Sequence, residues 1–170
     1  MTLSVRAAIA DDAETILGFI RGLAEYEHEA NAVAATAVEL RAQMMSGAPP
    51  FECLIAEDGT NPIGFALYYR SYSTWLGLPL LFLEDFFVDE KHRGRGAGIA
   101  LFKRLAEIAR ERGYRRIEWR VLDWNEPAQR FYRSISAHPI DEWTVWRIEG
   151  DALERLSKEQ RSDLEKGESC

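Results

Sequence analysis

Residues 82–88 read FLEDFFV, and this stretch decides how the rest of the chain is interpreted. Its apolar density is typical of a buried strand. Glu84 and Asp85 nevertheless stand side by side in its middle. A buried carboxylate costs several kcal/mol unless a partner or water meets it. We therefore expect the strand to separate from a neighbour at this point and to open a wet cleft.

A glycine-rich segment follows this strand directly. DEKHRGRGAG occupies residues 89–98 and leads into a helical pattern that Gly113 is placed to end. The start of a helix offers unpaired N–H groups, and glycines let an anion approach the backbone closely. Lys91, Arg93 and Arg95 concentrate positive charge here in a chain whose net charge is −7. The segment therefore predicts binding of a phosphate-containing ligand.

Three kinds of phosphate-binding loop compete for this segment. A P-loop requires Lys and then Ser or Thr after its last glycine, whereas this chain continues with Ile99. A dinucleotide-binding loop follows its strand tightly, with an acid about 20 residues later. Asp123 meets the acid requirement, but the charged residues before the glycines make the spacing unfavourable. The coenzyme A loop, R/Q-x-x-G-x-G/A, is matched by Arg93, Gly96 and Gly98.

A second motif lies downstream, where residues 121–134 read VLDWNEPAQRFYRS. Asn125 is placed to cap a short helix. Asn125 and Tyr132 are about two helical turns apart, so both side chains can face one cleft. Together with the glycine loop, this spacing favours a functional role for the pair over a purely structural one.

These motifs resemble the GNAT N-acetyltransferases, and more closely the group of spermidine/spermine N1-acetyltransferases and thialysine acetyltransferases. The resemblance is carried by LAEYE, TWLG, LEDFFV, RGRGAG and WNEPAQRFY, at residues 23–27, 74–77, 83–88, 93–98 and 124–132. It implies one GNAT-like α+β domain over residues 1–150. Its mixed central sheet is expected to have about 6–7 strands flanked by helices and to be splayed at strands 4 and 5. Residues 151–170 are expected to form a charged C-terminal helix or tail.

The resemblance also implies the chemistry, which is acetyl transfer from acetyl-CoA to a primary amine. An ammonium with a pKa near 10.4 is neutral in only about one molecule in 10³ at pH 7, so a base must remove a proton. Similarity to the family favours Glu84 as the proton acceptor. Adjacent strand residues face opposite sides, so Asp85 is expected to bind structurally or to tune the site. Tyr132 matches the tyrosine that protonates the departing thiolate, the alternative being a tyrosine that only packs against the sulfur.

Binding residues are likewise implied by the resemblance. The acetyl-CoA-binding positions are Phe86, Phe87, Val88, Arg93, Gly94, Arg95, Gly96, Ala97, Gly98, Ile99, Asn125, Glu126, Pro127 and Ala128. The amine-binding positions are Tyr26, Glu27, Trp75, Glu84 and Asp85. Two departures from the family pattern are Ser73, which replaces an acid, and residues 134–137, which lack an arginine and a glycine. The first puts selectivity for polyamines in question, and the second is expected to weaken phosphate contacts.

Composition limits the other functional classes. A hydrophobic content of 46% indicates a folded core, and the acidic balance argues against nucleic-acid binding. No apolar run approaches the roughly 20 residues of a membrane span, and no signal peptide is visible. Cys53 and Cys170 form no disulfide framework, so we expect a cytoplasmic protein.

No metal is expected, because His28, His92 and His138 show no ligand spacing. A covalent acyl-enzyme is not expected either, because no Cys or Ser stands in the motifs as a nucleophile. The predicted partners are a small cationic amine and, by resemblance, a second copy of the chain in a homodimer. Two alternatives stay open: acetylation of a protein or peptide amine, and a non-catalytic sensor that binds coenzyme A.

Periodicity and turn signals predict the remaining elements. We expect a first helix ending near Glu29 and a second helix opened by a capping box at Thr36 and Glu39. The strands outside FLEDFFV are expected at residues 3–8, 51–57, 62–73, 115–122 and 142–149.

Overall fold

The computed structural model describes residues 2–158. The chain divides into two compact units, of which the first ends at Leu122 and the second begins at Asp123. Cys170 and most of the predicted C-terminal tail lie outside the described residues. The predicted boundary at residue 150 stays a prediction. Within the described part of the chain, no helix is both long enough and apolar enough to cross a membrane.

A five-stranded mixed sheet forms the centre of the first unit. Its strands, in spatial as well as chain order, are β1 (Leu3–Ala7), β2 (Glu52–Asp58), β3 (Asn61–Ser73), β4 (Leu78–Val88) and β5 (Ile117–Trp119). The first four strands pair antiparallel, and β5 runs parallel to β4. The mixed α+β architecture is therefore confirmed, with five strands among the described residues against the 6–7 expected.

The splay between strands 4 and 5 is also confirmed. The β4–β5 ladder ends where Leu83 pairs with Trp119. Beyond that point β4 continues to Val88 and keeps its register with β3. Among the described residues, the last part of β4 therefore pairs with β3 but not with β5.

Helices cover both faces of this sheet. They are α1 (Ala13–Tyr26), α2 (Ala37–Met44) and α3 (Ala97–Glu111). On one face, Phe19 of α1 stacks on Phe65 of β3 at 5.5 Å, and α2 adds Leu40 to the same buried cluster. On the other face, Phe102 of α3 packs edge-on against Phe86 of β4 at 4.9 Å. Successive side chains of a strand point to opposite faces of the sheet, so Phe86 packs under α3 and Phe87 packs under α1.

Several local predictions are confirmed by the hydrogen bonds. Thr36 accepts from the Glu39 N–H at 3.2 Å, and the Glu39 carboxylate accepts from the Thr36 N–H at 3.1 Å, which is a complete capping box. The strands β2 and β3 form the expected antiparallel hairpin around Gly59. Helix α1 ends at Tyr26, a turn earlier than predicted, and Glu27 is its C-cap residue.

The second unit contains two helices among its described residues, α4 (Glu126–Ser134) and α5 (Gly150–Lys158). Asn125 caps α4 as predicted, because its side-chain oxygen accepts from the Ala128 N–H at 3.2 Å. Pro127 lies in the first turn, where its missing N–H costs no helical hydrogen bond.

Two strand predictions need correction. The segment 142–149 contains no strand, and its large apolar residues, Trp143, Val145, Trp146 and Ile148, are between 50% and 90% exposed. Alternation of apolar and polar residues predicts a strand only where a neighbouring strand pairs with it, and the described residues supply none. The strand predicted over 115–122 is real but shorter, since only Ile117–Trp119 pair with β4.

Candidate active site

The register of β4 changes at its two acidic residues. Asp85 pairs with Leu67, whereas Leu83 pairs with the adjacent Tyr68, so Glu84 is the extra residue of a β-bulge. The β4–β5 ladder ends one residue earlier. Bulge and splay therefore coincide, and together they explain why an otherwise apolar strand tolerates two carboxylates.

Asp85 occupies the more buried of the two acidic positions. It lies opposite Leu67, on the face of the sheet that α1 covers. Burial raises the pKa of Asp85 to about 6, and the charges of Glu84 and Glu27 raise it further in the same direction. Burial also raises the pKa of Glu27, the C-cap residue of α1. We call Glu27, Glu84 and Asp85 the acidic cluster.

Glu84 is the more exposed member of the acidic cluster and has a cationic partner. Its Oε2 lies 3.4 Å from Nη2 of Arg120, the residue that follows β5. The same guanidinium lies 5.1 Å from the ring centre of Phe82. Because the side chains of the pair are 52% and 44% exposed, the attraction is worth at most about 1 kcal/mol. Sequence reasoning did not single out Arg120, because no motif contains it.

Arg93 of the glycine loop joins three parts of the first unit. Its guanidinium carbon lies 4.6 Å from the ring centre of Tyr26 and 5.7 Å from that of Phe87. Its Nε donates to the Val88 carbonyl at 3.0 Å. The side chain of this residue therefore connects the glycine loop to the end of α1 and to the end of β4. The motif alone indicates only the loop.

The start of α3 has the features of an anion site. Gly96 is the N-cap residue with φ 92°, a conformation that favours glycine, and no side chain among the described residues caps the helix. The N–H groups of the first helical turn, Ala97 to Ile99, have no acceptor within the helix. Gly94 and Arg95 are exposed beside them, and a Cβ on Gly94 would meet no atom within 4 Å. The loop predicted to bind coenzyme A phosphates therefore fits an anion.

The end of β4 is held in place from both faces. Phe86 packs on Phe102, which in turn lies 5.3 Å from the ring of Trp119. Phe87 lies under α1, so that a Cβ on Gly22 would be 3.2 Å from its ring. The backbone of these residues therefore faces the splay in a fixed position, which is what a binding site for an extended acyl-carrying arm requires.

Gly64 also shapes this region, and sequence reasoning missed it. It pairs with Val88 across the β3–β4 ladder. A Cβ on Gly64 would lie 2.7 Å from the Phe87 carbonyl oxygen. A glycine inside an apolar strand often marks such a close backbone approach, and that signal was available in the sequence.

Trp75 lies far from the acidic cluster of the same chain. It lies in the β3–β4 turn and is 86% exposed. Between that turn and Glu84 lie the first six residues of β4, a length of about 20 Å. Ser73, which replaces the family's acid, is only 8% exposed and accepts from the Leu76 N–H and from Arg116, each at 3.3 Å. Its role in this structure is to hold the turn.

A groove of about 700 Å³ runs along α1. It is lined by Thr15, Gly18, Phe19, Gly22, Glu25, Tyr26, Pro62, Phe87, Asp89, Glu90 and Arg93. None of the acidic cluster lines this groove. The groove does contain carboxylates, those of Glu25, Asp89 and Glu90, but none of them belongs to the motif predicted to accept the proton. The splay, where Glu84 and Asp85 lie, is therefore the better candidate for the reacting centre.

The remaining predicted site residues lie in the second unit. Asn125 is 6% exposed and its side chain caps α4. Glu126 pairs with Arg130 at 3.3 Å on the outside of the same helix. Tyr132, which follows Phe131, is partly buried. The ring centres of these two residues lie 5.6 Å apart. Asn125 thus caps the start of α4 and Tyr132 lies in its last turn. That both side chains face one cleft stays a prediction.

Candidate metal ligands were also sought among residues 2–158. No group of three or more His, Cys, Asp or Glu side chains in that range could hold a metal ion.

Known proteins resemble this chain over nearly its whole length. The model of the Acetyltransferase (GNAT) family matches residues 23–136. A thialysine N-epsilon-acetyltransferase of Bos taurus is 37% identical over 164 residues, which cover 90% of this chain and 96% of that protein. A spermidine/spermine N(1)-acetyltransferase-like protein 1 of Homo sapiens is 33% identical and covers 94% of this chain, but only 23% of that longer protein.

A solved structure shows the same fold. An integron cassette protein from the mobile metagenome of V. cholerae superposes with a TM-score of 0.77 at 26% identity, covering 94% of this chain and 99% of that one. The family match, the relatives and the splayed sheet agree with the resemblance seen in the motifs. The chain belongs to the GNAT family of acetyltransferases, and it is an acetyl-CoA-dependent N-acetyltransferase.

Proposed function

We propose that the protein acetylates a primary amine of a small cationic substrate, such as thialysine, a diamine or a polyamine. The observation that carries this proposal is the acidic cluster of Glu27, Glu84 and Asp85 at the splay between β4 and β5. Carboxylates at this point attract an ammonium and can accept its proton. The names of the relatives, which act on thialysine or resemble polyamine acetyltransferases, support the same substrate class.

Acetyl-CoA, the acetyl donor, is proposed to be held by two regions of the first unit. The end of β4, at Phe86, Phe87 and Val88, is proposed to hold the arm that carries the acetyl group, with backbone N–H groups directed at the thioester oxygen. Residues 93–99 are proposed to hold the phosphates, using the uncapped start of α3 and the Arg95 side chain. Asn125 to Ala128 stay predicted acetyl-CoA-binding residues, and for them the support is the sequence motif alone.

Glu84 is proposed to accept the proton that the attacking ammonium must lose. Its bulged, exposed position supports this role, since substrate and water can both reach it. Asp85 is proposed to bind the amine and to tune the acidic cluster, because its more buried carboxyl holds its proton up to about pH 6. The proton passes from the amine to the carboxylate as nitrogen forms its bond to the acetyl carbon.

Tyr132 is proposed to return a proton to the thiolate that leaves. The support is the WNEPAQRFY motif, in which this tyrosine follows a capped short helix. Loss of the hydroxyl is expected to slow the transfer step, whereas a tyrosine that only packs against the sulfur tolerates replacement by Phe. Homodimer formation and a cytoplasmic location stay predictions from the sequence, and light scattering on the purified protein tests the first of them.

The test is release of free coenzyme A from acetyl-CoA against a panel of amines. The panel holds thialysine, spermidine, putrescine, lysine and a lysine peptide at pH 7 to 9, with a Cys170→Ser protein to lower the thiol background. Turnover of a small amine, lost in Glu84→Gln and in Tyr132→Phe, supports the proposal. Turnover of the peptide alone contradicts it and favours a protein acetyltransferase. Binding of acetyl-CoA without turnover of any amine favours the sensor.

A further inference from the structure

The ion pair between Arg120 and Glu84 places a positive charge inside an otherwise acidic acceptor site. We propose that Arg120 makes this site select amines that also carry a carboxylate, that is, amino acids with a side-chain amine. The inference rests on the proposed function, because it assumes that the amine is delivered to Glu84.

The geometry allows the pair to exchange partners. The two side chains are about half exposed, and their closest atoms are 3.4 Å apart. Arg120 follows β5 directly and lies just beyond the last residue pair of the β4–β5 ladder, Leu83 and Trp119. Its guanidinium is supported from one side by the Phe82 ring at 5.1 Å. An incoming ammonium can therefore replace the guanidinium at Glu84 without disturbing the sheet.

The exchange separates two classes of acceptor. When a diamine binds at Glu84, Arg120 loses its carboxylate and is left close to a ligand that carries only positive charge. When an amino acid binds, its carboxylate takes the place of Glu84 as the partner of Arg120. A guanidinium recognises a carboxylate through two parallel hydrogen bonds, which a lysine cannot reproduce.

The remaining charges of such an acceptor also find partners. A lysine-like molecule carries a side-chain ammonium, a carboxylate and an α-ammonium. Glu84 receives the first and Arg120 the second. Glu27 and Asp85 remain for the third, and they lie close enough that the charge of Glu27 raises the pKa of Asp85. The four side chains therefore match an amino acid better than a molecule with ammonium groups alone.

The experiment compares acceptors that differ only by the carboxylate. Thialysine is paired with bis(2-aminoethyl) sulfide, and lysine is paired with cadaverine. For each pair the ratio of kcat/KM values is measured for the wild-type protein, Arg120→Gln and Arg120→Lys. Arg115→Gln is the matched control, because Arg115 is exposed before β5 and its removal changes the net charge equally.

The proposal predicts that the wild-type protein prefers the carboxylated member of each pair. Arg120→Gln is expected to lower that preference by about tenfold or more, with a smaller loss in Arg120→Lys and none in Arg115→Gln. An unchanged ratio in Arg120→Gln overturns the proposal, as does an equal loss of activity on both members of a pair.

A binding measurement separates this inference from the proposed function. If the wild-type protein turns over no amine, the proposed function fails, and calorimetry then tests the inference alone. Thialysine and bis(2-aminoethyl) sulfide are titrated into the protein saturated with coenzyme A. Tighter binding of thialysine that disappears in Arg120→Gln supports the inference, and equal binding of the two ligands overturns it.

Discussion

Gly64 and Phe87 approach so closely that a Cβ on Gly64 would lie 2.7 Å from the Phe87 carbonyl oxygen. Gly64→Ala must therefore push back the end of β4, where the proposed donor site lies. We expect a loss of about 1–3 kcal/mol in the free energy of unfolding, together with a raised KM for acetyl-CoA. Denaturant unfolding and steady-state kinetics measure the two effects.

The control for this substitution is Gly47→Ala. Gly47 lies after α2, and a Cβ there meets no atom within 4 Å. The substitution Gly47→Ala is therefore expected to change neither the free energy of unfolding nor the KM for acetyl-CoA. If Gly64→Ala keeps the stability and the KM for acetyl-CoA of the wild-type protein, the claim that this glycine sets the position of the end of β4 is contradicted.

The pH dependence of the reaction is expected to report on Asp85. Its pKa is raised to about 6, first by burial and then by the charges of Glu84 and Glu27. The acidic limb of kcat/KM is therefore expected near pH 6. Glu27→Gln removes one of the raising charges and is expected to move the limb to lower pH, and Asp85→Asn is expected to abolish it. A limb that stays in place in Asp85→Asn assigns the titration to another group.

Stability gives an independent check on the same carboxyl. A raised pKa means that the folded protein holds this proton more tightly than the unfolded chain, in which the ordinary value is 3.8. The contribution of Asp85 to stability is therefore lost as the pH rises through about 4 to 6. Asp85→Asn is expected to stabilise the protein at pH 8 and to change it little at pH 4. Chemical unfolding at the two pH values checks the sign, and an opposite order contradicts the burial of this group.

The contact between Arg93 and Tyr26 predicts that loss of the Arg93 side chain affects the binding of the amine more than the binding of acetyl-CoA. Arg93→Gln removes the cation from the Tyr26 ring and the hydrogen bond to the Val88 carbonyl. We expect the KM for the amine to rise several-fold, while the dissociation constant of acetyl-CoA changes less than it does in Arg95→Gln. Calorimetry and initial rates give the two numbers. The reverse order indicates that the Arg93 side chain serves the phosphates.

Cys53 is expected to be inert in the folded protein. It is 4% exposed, and burial raises the pKa of its thiol to about 12. In a Cys170→Ser protein, a thiol reagent at pH 8 is expected to react only after unfolding in denaturant. Rapid labelling under native conditions contradicts the burial of Cys53 and also complicates the assay of released coenzyme A.

Much of the fold was predictable, because its local signals are strong. The capping box at Thr36, the Asn125 cap and the β2–β3 hairpin each depend on a few neighbouring residues. The splay was also predictable, because two adjacent carboxylates in an apolar strand require solvent or a partner. Such features need no knowledge of distant parts of the chain.

The predictions that were wrong or missing concern features that depend on pairing between segments far apart in the sequence. Residues 142–149 are rich in Trp, Val and Ile, which favour strands, yet the described residues offer this segment no neighbouring strand. The β-bulge at Glu84 depends on the register of β4 against β3, which a single strand does not encode. Arg120 was missed for the same reason, because its importance comes from Glu84, a residue far away in the sequence. Gly64 was missed although a glycine inside an apolar strand was itself a signal.

The central claim is that the acetyl group passes directly from the sulfur of acetyl-CoA to the nitrogen of a small amine, while Glu84 accepts the proton that this nitrogen loses. The most direct measurement incubates acetyl-CoA labelled with ¹³C in its acetyl group with thialysine and follows the label by NMR. The account predicts a labelled amide on the side-chain nitrogen, formed by the wild-type protein and almost absent with Glu84→Gln. Label that remains in acetyl-CoA or appears as free acetate, with both proteins alike, contradicts it.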